Sequence, residues 1–254
     1  MSSPLAASFQ HTGVAAAYAH RPPYPAAVFD LLADLVTGSP RTVLDLGAGE
    51  GALARPLASR VDRVDAVEIS AAMVAAGRAR PGGDRSNLFW HVTAVESLAL
   101  PGPYGLATAG ASLHWMDWPQ TFAVLRRVLA PGAVLAVVEQ SYHRLPWHDG
   151  LLEVIARHSR NQSYDRGFSL VDELARRGHW RIIGRHETPP TEFSQAVGAY
   201  IEQFHSTSSL ARELMPAAEA LAFDTAVEAL VSDYQRPDGT LALPTTATVV
   251  WGTL

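Results

Sequence analysis

The sequence predicts an α/β fold, a mostly parallel seven-stranded sheet with helices on both faces and a helical lid, in one domain of 254 residues. Three observations predict it. Between Arg41 and Glu139, short β-branched runs alternate with helix-like segments, as repeated βαβ units do. The first of those strands runs straight into a glycine-rich turn at a helix start. The hydrophobic content of 48% is enough for a sizeable core.

In chain order, Phe9 to Tyr18 and Pro25 to Val36 read as two helices. Arg21-Pro22-Pro23-Tyr24-Pro25 between them is a crossing that its prolines hold extended. Residues 1–40 are thus a helical cover. The core, 41–139, opens with a strand at Thr42–Leu46, then a helix from about Gly51 to Arg60. A second strand, Arg63–Glu68, precedes a helix opened by Ser70 and closed near Arg80 by Pro81-Gly82-Gly83. Strands follow at Leu88–Val92, Gly105–Ala109 and Ala133–Val138, the last after a helix from Trp118 to Leu129 and the turn Pro131-Gly132. In 140–254, Trp180–Glu187 and Ala247–Thr253 read as late strands. Helical segments around Leu151–Arg160, Leu170–Arg177, Gln195–His205 and Leu210–Tyr234 supply lid material.

Composition removes several chemistries. The chain has no cysteine, and all 20 of its basic residues are arginine. A catalytic thiolate, a cysteine-held iron–sulfur cluster, a pyridoxal-phosphate lysine and a P-loop lysine are therefore excluded. A net charge of −5 without a basic stripe argues against nucleic acid. No apolar run approaches the roughly 18 residues of a membrane span, and the start lacks the charged and apolar regions of a leader, so a cytoplasmic location is expected. No His and carboxylate spacing suggests a metal site.

The most informative stretch is Val43-Leu44-Asp45-Leu46-Gly47-Ala48-Gly49-Glu50-Gly51. Gly47, Gly49 and Ala52 satisfy a loose dinucleotide pattern, weak by itself. Charge sign separates the ligand classes: a carboxylate at the mouth of the turn, Asp45, repels a diphosphate but attracts the ammonium and sulfonium of S-adenosylmethionine. Glu68, ending the second strand, is placed to accept hydrogen bonds from ribose hydroxyls, which both classes possess.

These residues resemble the class I S-adenosylmethionine-dependent methyltransferase superfamily, in its small-molecule branch, with a Rossmann-like doubly wound fold. The glycine motif matches Asp45, Gly47, Gly49 and Gly51, and the ribose acid matches Glu68. Leu106 through Leu113-His114-Trp115 to Arg126-Arg127-Val128-Leu129-Ala130-Pro131-Gly132 matches the fourth strand, helix and turn. The segment with Tyr18, Arg21, Pro22, Tyr24 and Pro25 resembles one that approaches the cofactor's methionine end. The resemblance implies S-adenosylmethionine as cofactor, S-adenosylhomocysteine as product, and a small-molecule acceptor with an O, N or C nucleophile, natural-product intermediates among them. It places Tyr18, Arg21, Asp45, Gly47, Ala48, Gly49, Gly51, Glu68, Ile69, Ser70, Met73, Ala94, Val95, Glu96 and Ala109 at the cofactor. The chain departs from the pattern at Ala94, where many relatives carry an acid for the adenine amino group, and at Gly105 and Ala133, which replace a common Asp and Gly. Backbone near Val95, with Ile69 and Leu98 as walls, is the substitute expected for Ala94. Glu96 has two readings, acceptor from the adenine or partner of Thr93 in a capping box.

His114, after the fourth strand, is the candidate base or orienting residue, or else packs with Trp115. His11, His20, His143 and His205 lie in segments that reach toward the pocket, and Phe9, Tyr18, Trp115, Trp118 and Phe204 are candidate apolar walls. Two other readings stand beside methyl transfer: an NAD-linked oxidoreductase, and an adenosylmethionine-binding protein with a repurposed or non-catalytic role.

Overall fold

A computed structural model describes residues 12–100, 102–161 and 167–254. Nine strands occur among these: β1 (Thr42–Leu46), β2 (Arg63–Glu68), β3 (Leu88–Val92), β4 (Tyr104–Gly110), β5 (Leu129–Tyr142), β6 (Arg181–Glu187), β7 (Ser194–Ala196), β8 (Thr240–Ala242) and β9 (Thr245–Thr253). Seven form one sheet in the order β3-β2-β1-β4-β5-β9-β6, parallel except for β9, which runs against both β5 and β6. The order turns back at β1 and β4, and in such a sheet the crevice beyond the strand ends at that switch is the place for a ligand. The remaining pair, β7 and β8, is a short antiparallel ladder between strands that α8 and α9 separate in sequence.

The helices are α1 (Thr12–Tyr18), α2 (Ala26–Asp34), α3 (Ala54–Leu57), α4 (Ala71–Ala79), α5 (Trp118–Val128), α6 (His148–His158), α7 (Leu170–Arg176), α8 (Val197–Glu202) and α9 (Ala217–Val231). Alternation along β1 sends Leu44 and Leu46 to one face of the sheet, where they pack with Phe122, Leu125 and Leu174 of α5 and α7. Val43 goes to the other face, among Val28, Leu32 and Leu57 of α2 and α3. A third core lies off the sheet: Trp147, Tyr200, Phe223, Val227 and Leu241 bind α6, α8, α9 and β8 into a lid. Helix starts follow local chemistry. Ser70 accepts from the Met73 N–H, and Asp117 accepts from the Gln120 N–H ahead of α5, which carries Pro119 in its first turn.

The first three strands have the predicted bounds, whereas other elements differ for physical reasons. The helix expected at Gly51–Arg60 shortens to α3, because Gly47, Gly49 and Gly51 all adopt left-handed φ and keep the chain in turns up to Leu53. The helix expected from Gln195 begins instead as β7, continues as α8 and tightens into a 3-10 turn at Gln203–Ser206. Pro216 delays the last long helix to Ala217. The opening part of the first predicted helix, with Phe9 and His11, lies outside the described residues. No helix among the described residues is long and apolar enough to cross a membrane.

One polar cluster sits within the sheet. Asp65 on β2 is fully buried and accepts from Arg63 Nε and a second guanidinium nitrogen (2.6 and 2.9 Å) and stands 2.7 Å from His91 Nε2. Burial alone raises a carboxyl pKa, but these partners outweigh it and hold Asp65 below the usual range. A depressed folded-state pKa contributes stability above the unfolded value and loses it as pH falls through the folded one. Asp65→Asn is therefore expected to cost about 1–3 kcal/mol at neutral pH, and the deficit to shrink as pH drops below about 4. Urea midpoints of both proteins across that range check it.

Candidate active site

Two cavities, of about 550 and 700 Å³, flank the turn that follows β1, and Tyr18, Gly47, Gly49, Gly110 and Ala111 line both. The turn is built to admit close approach. Gly47 has φ +61°, and a Cβ there would sit 2.7 Å from Ser112 Cβ, so a side chain would both strain the backbone and close the junction.

The first cavity is walled by the ends of β2 and β3. Glu68 is buried, with Oε2 accepting from the Gly49 N–H (2.9 Å) and Oε1 from the Ser70 N–H (2.8 Å). Burial pushes its pKa up, and these backbone donors pull it back. Ile69 stands 52% exposed on this wall, an apolar side chain facing open space, with buried Met73 and Val95 near it. Ala94 and Glu96 line the same cavity, but the capping box does not form. Glu96 Oε1 instead accepts from the Asp117 N–H (2.8 Å) and the Thr121 hydroxyl (3.3 Å), tying the β3 loop to the start of α5.

His114, in a 3-10 turn after β4, lines this cavity with its ring centroid 4.4 Å from that of Trp115. Burial, reinforced by the charge of Arg21, lowers its pKa to about 4. The imidazole is therefore neutral at physiological pH, an acceptor or donor of hydrogen bonds and a weak base.

Asp45 and Ala48 belong to the second cavity. Asp45 is 1% exposed; its Oδ1 accepts from the Thr108 hydroxyl at 2.8 Å, while Oδ2 has no hydrogen-bond partner. Burial raises its pKa to about 7, against the opposing pull of Thr108 and of the Ala54 N–H. Arg21 closes the same space from the cover: it lies 3.9 Å over the Tyr18 ring and donates from Nε to Ser206 Oγ (2.7 Å) and from a terminal nitrogen to the Ser206 carbonyl (3.2 Å).

Three expected residues lie outside both cavities. Gly51 packs under Trp90, whose ring would stand 2.6 Å from an added Cβ; Ser70 is buried as the cap of α4; Ala109 is fully buried in β4, one residue short of the opening. Trp118 turns its indole N–H to the Leu113 carbonyl, and His205 is buried in the lid. His20 gives its carbonyl to Gln195, and the His143 N–H goes to the Pro244 carbonyl. None of these lines either of the two cavities, whereas Trp115 and Phe204 do. Sequence reasoning missed Ser112, Met116 and Gln120 on the first cavity and Gln140, Tyr142, Phe193, Gln195, Gln203 and Thr207 on the second. The former sit beside the His114 motif and follow from it. The latter carry no local signal, because only the lid fold brings them together.

Residues 43–132 match a family described as a methyltransferase domain. No curated protein sequence matches the chain. Among solved structures, a protein provisionally assigned as a type II methyltransferase from Anaeromyxobacter dehalogenans superposes with a TM-score of 0.61 at 23% identity, over 91% of this chain and 96% of its own. A protein provisionally assigned as a methyltransferase of an antibiotic biosynthesis pathway from Anabaena variabilis gives 0.59 at 15%, over 91% and 99%. A methyltransferase from Geobacter sulfurreducens, solved with S-adenosylhomocysteine, gives 0.50 at 16%, over 90% and 91%. These likenesses show a shared Rossmann-like fold. The sequence match covers about a third of the chain, residues 43–132, and is to a methyltransferase domain.

Proposed function

We propose that this chain transfers the methyl group of S-adenosylmethionine to a small-molecule acceptor, with adenosine in the first cavity, the methionine end at the glycine turn and the acceptor in the second. The observation that carries the reading is Asp45, a buried carboxylate at the turn with one oxygen lacking a partner. Such an oxygen suits an ammonium and opposes a diphosphate. The rest of the donor set fits the same group. Each Glu68 oxygen takes one backbone N–H and keeps lone pairs for a ribose hydroxyl, and Ile69, Met73 and Val95 offer apolar walls to a flat base.

When bound, the cofactor supplies a methyl carbon on a sulfonium whose thioether leaves readily. The protein's tasks are to align the acceptor and exclude water. Arg21 and Tyr18 close the site from the cover. His114, neutral and weakly basic, stands on the first-cavity side of the rim that Gly110 and Ala111 share between the two cavities, and an acceptor whose reacting atom reaches that rim has its proton oriented there rather than stored. His114→Gln, which keeps hydrogen-bonding capacity, is expected to lower kcat by less than about tenfold, with a pH profile parallel to wild type between pH 5 and 8. A profile that loses an acid limb in the variant overturns this role.

Calorimetric titration with S-adenosylhomocysteine and, separately, NADH tests the cofactor. Binding of the first and silence of the second is the expected result; tight NADH binding sinks the reading. Incubation with methyl-labelled cofactor and metabolite fractions then shows whether label moves.

A further inference from the structure

We infer that the acceptor is an uncharged molecule with an apolar, ring-sized body and a hydrogen-bond donor, held through that donor by Gln195 Oε1 in the lid-side half of the second cavity. This inference rests on the proposed methyl-transfer reading, whose acceptor it describes.

Among the described residues, two buried side-chain polar atoms have no partner, Asp45 Oδ2 and Gln195 Oε1, and both residues line this one cavity. The orientation of the Gln195 amide follows from its other end: Nε2 donates to the His20 carbonyl at 2.7 Å, an acceptor that only the NH₂ group satisfies. The unpartnered atom is therefore the oxygen, and it calls for a donor from outside the protein.

The neighbouring polar groups have spent their hydroxyl protons. The Tyr142 hydroxyl donates to Gln203 Oε1 (2.6 Å), and Gln203 in turn donates from Nε2 to the Tyr200 carbonyl (2.9 Å). The Thr207 hydroxyl donates to the Phe204 carbonyl (2.7 Å). What remains for a ligand on Tyr142, Thr207 and Gln195 is acceptor oxygens. Burial raises the Tyr142 pKa, so its phenol stays protonated. Tyr142, Phe193, Gln195, Gln203, Phe204 and Thr207 thus form a wall of rings and acceptors without an ionised group. A carboxylate or phosphate would meet lone pairs along this wall, the Arg21 guanidinium beyond it being held on the Ser206 oxygens. A cation would meet no counter-charge on this wall, Asp45 lying at the glycine turn with the proposed ammonium, and Arg21 at the seam would repel it. A neutral ring with a hydroxyl or N–H fits both the apolar faces and the oxygens.

The test titrates three probes of one shape into the full-length protein, with and without saturating S-adenosylhomocysteine: 2-naphthol, 2-methoxynaphthalene and 2-naphthoate. Wild type is expected to bind the naphthol at least about tenfold more tightly than the methyl ether, with the naphthoate weakest, as loss of one buried hydrogen bond implies. In Gln195→Met the preference for naphthol over ether should fall to within about threefold while ether binding holds. Tyr142→Phe, which keeps the ring, is the second variant and should narrow the preference in the same direction. Equal or tighter binding of the naphthoate, a preference unchanged in both variants, or no binding of any probe overturns the inference. Failure of S-adenosylhomocysteine to bind would instead strike the cofactor reading, because the probe order in the ligand-free protein reports on the lid-side wall alone.

Discussion

Asp45→Asn is expected to weaken S-adenosylhomocysteine binding by well over about tenfold at pH 8 while raising the stability of the ligand-free protein there. Both effects come from one buried charge. A carboxyl whose folded-state pKa is raised to about 7 binds its proton more tightly folded than unfolded. Its contribution is fully present below the unfolded value near 4, declines as pH rises, and is gone once pH passes about 7. At pH 8 the ligand-free protein holds a desolvated anion that an amide replaces without charge, at a gain of up to the order of 4 kcal/mol. Melting curves at pH 5 and pH 8 check the sign, since the advantage of the variant must be larger at the higher pH. The ligand side has its own signature. An ammonium draws Asp45 into the ionised form, so affinity should fall as pH drops below about 7, and binding near pH 6.5 should release a proton. Calorimetry in buffers of different ionisation enthalpy measures that proton, which must vanish in the variant. A wild-type protein that binds equally well at pH 5.5 and 8 would remove Asp45 from the ligand.

The second large effect is expected at Gly105, the departure from the pattern that the sequence resembles. A Cβ at this position would stand 2.0 Å from the Thr37 carbonyl oxygen and 3.0 Å from its carbon. That carbonyl is backbone, and the segment is stitched in place, because the Thr37 N–H donates to the Gly105 carbonyl and the Gly105 N–H to the Thr42 hydroxyl. The chain following α2 cannot step aside cheaply. Gly105→Ala is expected to cost at least about 1–3 kcal/mol by overpacking, and Gly105→Asp more, since it adds a charge where there is no room for it. Chemical denaturation of the alanine variant is the measurement, and a midpoint shift under a few tenths of a kcal/mol would show that the strand entry yields.

Gly105 also marks how far the sequence could be read. As a departure from a family pattern it was visible, but its reason, the Thr37 backbone lying across β4, exists only in three dimensions. The bounds of β1, β2 and β3 were legible because buried parallel strands are continuous apolar runs closed by turn residues. The glycine turn and Glu68 were legible because backbone approach and a strand-end acid leave fixed spacings. Gly51 and Ser70 share those spacings yet serve packing and capping, which a motif does not distinguish from contact. The lid was opaque for another reason. Three-residue strands such as β7 and β8 carry no periodicity, and Tyr142 meets Gln203 across 61 residues through a fold with its own core.

Arg21 clasps the cover to the lid, with its guanidinium on the oxygens of Ser206 and against the Tyr18 ring. Gln195, whose amide donates to the His20 carbonyl, ties cover and lid a second time, so that opening either one breaks bonds to the other.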